Sequence, residues 1–126
     1  MIEQQIESVL KNSLRKISKK NDISLQFLRI RMKLTEDFNS SYCTVFNDKE
    51  ELDDIKWASI LGLAYSFKSI IVDSITKNLL LLADKHGVDK EEINARYYAM
   101  NQKGDADILL YNGDTPIERL EINALI

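Results

Sequence analysis

The sequence predicts a single α+β domain spanning 1–126: two layers, an antiparallel sheet of about four strands packed by helices, in the order α-β-β-α(α)-α-β-β. Three observations lead there. A helix-period stripe runs through residues 2–20, paired strand-like runs lie on either side of the chain's middle, and a long helix-like region from Asp48 to Gly87, apolar nearly all round from Trp57 to Ala83, separates them. At 126 residues the chain has the length of one domain, enough to bury a core without disulfides or metal.

The first element is an amphipathic helix over 2–20. Ile2, Ile6, Val9, Leu10, Leu14 and Ile17 approximate the i, i+3, i+4 stripe. Glu3 and Glu7 near its start and Lys16, Lys19 and Lys20 near its end each oppose the helix dipole. Asn21-Asp22 supplies a turn. Ile23 to Leu34 then alternates like a strand, with a change of phase between Phe27 and Leu28 of the kind a bulge or a boundary between two short strands produces. Thr35 to Ser41 is polar, and Tyr42 to Phe46 gives a second strand and a hairpin.

Asp48, with Glu51 three residues on, resembles the start of a helix, and Gly87 after Lys85-His86 resembles its end. One continuous helix would be about 57 Å long at 1.5 Å per residue, whereas a globule of this size is about 36 Å across. The block therefore breaks, with Gly62 the best point, or it projects into another subunit. Asp89 and Glu92 repeat the capping pattern and predict a short helix to about Met100. Asp107–Tyr111 and Ile117–Leu125 form a last hairpin around Asn112-Gly113-Asp114-Thr115-Pro116.

Composition narrows the function classes. A net charge of −3 and a pI near 5.2 argue against generic nucleic-acid affinity for the whole molecule. The single cysteine, Cys43, excludes an intrachain disulfide framework and fits a reducing compartment; within its apolar run it reads as core. The first twenty residues lack the apolar run of a signal peptide. Residues 57–83 are long enough to cross a bilayer, yet Lys68 and Asp73 near the middle would each cost a few kcal/mol there. The expectation is a cytoplasmic protein with no membrane association. The abundance of Ile, Lys and Asn over Arg and Pro points to an AT-rich bacterial or phage genome.

Few residues suggest catalysis, and no cofactor is expected. His86, the one histidine, suits a helix C-terminus better than a catalytic role. The acids Asp48, Glu50, Glu51, Asp53 and Asp54 lack the glycine and oxygen spacing of a calcium loop. The hairpin from Asp107-Ile-Leu-Leu-Tyr through Glu121-Ile122-Asn123 resembles the metal-binding hairpin of the PD-(D/E)xK nucleases. That resemblance implies Asp107 and Glu121 as magnesium ligands. Ala106 stands at the family's Pro, however, and Asn123 at the lysine that assists the attacking water.

Two stretches look like binding surfaces. Ala58, Gly62 and Ser66 recur every four residues, a spacing that lets two backbones approach closely. With Trp57, Tyr65 and Phe67 they outline a contact surface for a second copy or a protein partner. Residues 11–33 carry eight basic residues against Asp22 alone. Of these, Lys11, Arg15, Lys19, Arg29, Arg31 and Lys33 form a basic strip suited to nucleic acid or an acidic partner, or to neutralising the acids at 48–54. The reading is a non-enzymatic binding, assembly or regulatory protein that self-associates through part of 52–83. Nucleic-acid or acidic-partner binding through 11–33 and a degenerate metal-dependent nuclease are the alternatives.

Overall fold

Ile6, Leu10, Leu14 and Ile17 recur at helical spacing, and all four side chains are buried in the first helix, α1 (Ile2–Asn21). Its end is set by Asp22, which takes a left-handed φ of 53° while the Ile23 amide donates back to the Ser18 carbonyl. The computed structural model describes residues 2–34, 41–47, 50–55 and 65–125.

A single 3₁₀ turn, Leu25–Phe27, comes next, followed by β1 (Leu28–Leu34). The phase change expected at this point is therefore a turn meeting a strand, not a bulge or a joint between two strands. Within β1 the alternation is complete: Leu28, Ile30, Met32 and Leu34 are buried, and Arg29, Arg31 and Lys33 half-buried. β2 (Ser41–Asn47) and β3 (Glu50–Ile55) complete the first half of the sheet, and α2 (Tyr65–His86) crosses to the second half. There β4 (Ile93–Tyr98), β5 (Asp107–Asn112) and β6 (Thr115–Arg119) are followed by a 3₁₀ turn, Ile122–Ala124.

The strand order is β3-β2-β1-β4-β5-β6, every neighbouring pair antiparallel. The α+β class and the helix-packed antiparallel sheet are as expected, but the sheet has six strands where about four were expected. Both extra strands occupy sequence expected to be helical. Residues 50–55 pair antiparallel with β2, Asn47 opposite Glu50, and are therefore strand where a helix was expected. Glu50, Glu51, Asp53 and Asp54 lie instead on an edge strand, and Asp48 lies outside the described residues.

Residues 93–98 are likewise a strand and not part of a helix to Met100. The Asp89 carbonyl accepts the Glu92 and Ile93 amides, so a single turn forms before β4 begins. β4 then pairs with β1 on one side and β5 on the other. A half-helical block cannot satisfy two sheet neighbours, and the β-branched and aromatic residues of Ile93–Tyr98 suit the strand. The last hairpin forms, but its turn is shorter than expected, since Asn112, Thr115 and Pro116 already pair in the strands; β6 stops at Arg119 and residues 122–124 turn away.

The long block is thus interrupted. α2 starts at Tyr65, and at 22 residues it is about 33 Å long, which fits the globule. Gly62, the expected break, lies outside the described residues. Gly87 ends α2 with φ 63°, and the Val88 amide reaches the Ala83 carbonyl at 2.9 Å, the expected glycine cap. No helix among the described residues is long and apolar enough to cross a membrane.

Both helices lie on the same face of the sheet. Ile75, Leu79 and Ala83 of α2 join the α1 stripe, the inward residues of β1, and Ile93, Ala95, Tyr97, Ile108 and Leu110 in one core. Tyr97 is buried to its hydroxyl, which has no hydrogen-bond partner among the described residues, and burial raises its pKa, with Glu7 adding to the effect. An orphaned hydroxyl forfeits its hydration without recompense. Tyr97→Phe is therefore expected to raise unfolding stability by about 1 kcal/mol in urea denaturation. A loss of similar size would show that the hydroxyl is bonded.

Candidate basic and aromatic sheet face

Because β-strand side chains alternate, burying Leu28, Ile30, Met32 and Leu34 against the helices turns Arg29, Arg31 and Lys33 to the far face. The same period in β4 sends Asn94, Arg96 and Tyr98 there, since Ile93, Ala95 and Tyr97 belong to the core. Cross-strand register then sets Arg31 directly opposite Arg96, Arg29 opposite Tyr98, and Lys33 opposite Asn94. On β5, Leu109 faces Arg96 and Tyr111 faces Asn94.

Arg96 is the anchor of this face. Its guanidinium lies 3.9 Å from the centre of the Tyr111 ring. Its Nε donates to Asn94 Oδ1 at 3.0 Å, and one terminal nitrogen donates to the Gly113 carbonyl at 2.8 Å and to Asp114 Oδ1 at 2.7 Å. Asn94 donates to the same Gly113 carbonyl and to that of Glu92. Gly113 holds φ 60° at the tip of the β5–β6 turn, a conformation natural to glycine, so the turn's carbonyl can point back at β4. Two β4 side chains therefore fix the last hairpin.

The electrostatics follow the contacts. The Arg96 hydrogen bond holds the Asp114 carboxyl below the usual carboxylate range, with Arg31 and Arg29 contributing through space. Burial pushes the Tyr111 phenol up to about 12, reinforced by its bond to the Tyr98 hydroxyl at 3.3 Å. Arg119 Nε bonds Asp107 at 2.7 Å. An open cleft of about 220 Å³ lies where β1 ends and β4 begins. Arg31 and Lys33 line it from β1, Asn94 from β4, and Gly113 and Asp114 from the turn. Glu91 and Glu92 complete it.

The basic strip read from the sequence is divided by this fold. Arg29, Arg31 and Lys33 share the far face, while Lys11, Arg15 and Lys19 belong to α1, which packs on the opposite side. Trp57, Ala58 and Gly62 lie outside the described residues. Tyr65, Ser66 and Phe67 open α2, with side chains outside the described set.

The nuclease-like hairpin is formed by β5 and β6, but Glu121 falls beyond β6, at the start of a 3₁₀ turn. Asp107 is engaged by Arg119 and by the Ile108 amide. Among the described residues no group of three His, Cys, Asp or Glu could hold a metal ion. His86 bonds Glu118 at 3.1 Å, tying the end of α2 to β6.

Arg96, Tyr98, Tyr111 and Asp114 were not singled out from the sequence. The signal was present in the period-two run Ile93-Asn94-Ala95-Arg96-Tyr97-Tyr98, but the Asp89/Glu92 capping pattern in front of it suggested a helix. No protein-family model, curated protein or solved structure matches the chain.

Proposed function

We propose that the protein is a non-catalytic binding protein that takes an acidic protein partner on the far face of its sheet and self-associates through part of 52–83. One observation carries the reading of the face. Three consecutive outward positions of a central strand are Arg29, Arg31 and Lys33, with Arg96, Tyr98 and Tyr111 on the two strands beyond. Arginine and tyrosine supply much of the energy of protein interfaces, because each offers a large, rigid contact area and a polar tip. Neither of the two described helices packs on this side.

A protein partner suits the face better than nucleic acid. Asp107, Asp114, Glu91 and Glu92 lie among or beside the basic residues, and the chain as a whole carries −3. A continuous polyphosphate would meet those acids, whereas a protein surface can place its own charges between them.

The test compares a short poly-glutamate peptide with a single-stranded oligonucleotide, by titration at low and physiological salt. The peptide is expected to bind at low salt and weaken as salt rises. The double variant Arg29→Gln/Arg31→Gln should lose about tenfold or more in affinity while keeping its melting temperature. Tighter binding of the oligonucleotide, with a steep salt slope, would transfer the face to nucleic acid. Binding of neither would remove the reading.

A further inference from the structure

Arg96 and Asp114 form a markedly unequal pair. The arginine side chain is 7% exposed and held by Asn94, Gly113 and the Tyr111 ring. The aspartate side chain is 95% exposed, and of its two oxygens only Oδ1 bonds Arg96. Displacing Asp114 into water costs little, because its carboxylate is already almost fully solvated.

The surrounding charge gives an incoming anion a reason to replace it. Arg31 sits directly opposite Arg96 in the sheet. Arg29, Arg31 and Arg96 all act on the Asp114 carboxyl, so one acid lies within the field of three guanidinium groups. Asp114 and Arg31 both line the open cleft, which gives a carboxylate from solution a way in.

We infer that Asp114 is a built-in, exchangeable counter-ion, and that a carboxylate from an acidic segment of the protein partner displaces it from Arg96. This rests on the proposed binding role of the sheet face. The incoming carboxylate takes the position of Asp114 Oδ1, accepts from the outward nitrogen of Arg96, and lies beside Arg31. Because Arg96 is already held by Asn94, Gly113 and the Tyr111 ring, docking orders mainly the partner, which limits the entropic cost. Asp114 then acts as a tethered competitor that weakens casual binding of small acids and leaves the site to a segment making further contacts with Arg29 and Lys33.

Removing the competitor tests the idea. Asp114→Asn keeps the turn's hydrogen-bonding capacity and deletes the charge. Binding of a short poly-glutamate peptide to the full chain is measured by calorimetry at low salt, beside Asp114→Ala and wild type. The expected result is affinity raised about threefold or more in both variants, with melting temperatures near wild type. In amide spectra, the Gly113 resonance of wild type should shift on adding peptide toward its position in Asp114→Asn. Unchanged or weaker affinity in both variants, while Arg29→Gln/Arg31→Gln still loses binding, overturns the displacement and leaves the binding face standing. Failure of wild type and both variants to bind the peptide overturns both.

Discussion

Leu79→Ala is expected to lower the free energy of unfolding by about 2–5 kcal/mol, whereas Leu81→Ala, two residues further along α2, should change it by about 0.5 kcal/mol or less. Leu79 is fully buried, in register with Ile75 and Ala83 one turn to either side. Its truncation removes several methyl groups from the core and leaves a cavity that helix, sheet and neighbouring side chains cannot close together. Leu81 is 57% exposed and loses little solvent shielding when shortened. Urea denaturation of both variants, with the slope of each transition as a check on two-state behaviour, makes the comparison. Equal losses would mean that a second surface covers Leu81, and a dependence of that loss on protein concentration would identify another copy as the cover.

The contrast also marks how far the sequence was legible. In Leu79-Leu80-Leu81-Leu82 every side chain is alike, so hydrophobicity says that the helix packs without saying which side of it packs. α1 was readable because charge fills the positions its stripe leaves, and Ile6, Leu10, Leu14 and Ile17 are its buried face. β1 was readable for the same reason, basic and apolar residues alternating without exception from Leu28 to Leu34.

β3 and β4 were misread because local and non-local preferences disagree there. Asp48 with Glu51, and Asp89 with Glu92, carry helix-start chemistry, and a sequence window cannot see the strand beside them. β4 joins the two halves of the sheet, paired with β1 more than sixty residues earlier, and that partnership overrides local signals. The candidate site inherits the same division. Arg29, Arg31 and Lys33 were visible on their own strand, but their neighbours Arg96, Tyr98 and Tyr111 come from strands whose position only tertiary pairing sets. The same pairing separates Lys11, Arg15 and Lys19 from them, since α1 covers the other face.

Arg96→Ala should cost about 2–4 kcal/mol, and Arg96→Lys should recover less than half of it. Three acceptors meet the guanidinium at once: Asn94 Oδ1, the Gly113 carbonyl and Asp114 Oδ1. Alanine leaves Gly113 with the Asn94 amide alone and deprives Asn94 Oδ1 of its donor in a buried place. It also uncovers the Tyr111 ring, whose contact with the cation contributes about 1 kcal/mol. Asp114 adds little to the loss because water receives its carboxylate. An ammonium can satisfy one or two of the acceptors but has no plane to lay on the ring, hence the poor rescue by lysine. Hydrogen exchange should locate the damage: amides of β5 and β6 exchange faster, while those of α1 stay protected. Uniform loosening of the whole molecule would instead make Arg96 a member of the general core. Confined loosening makes it the clasp between β4 and the last hairpin, the rigid cation that an exchangeable counter-ion at Asp114 requires.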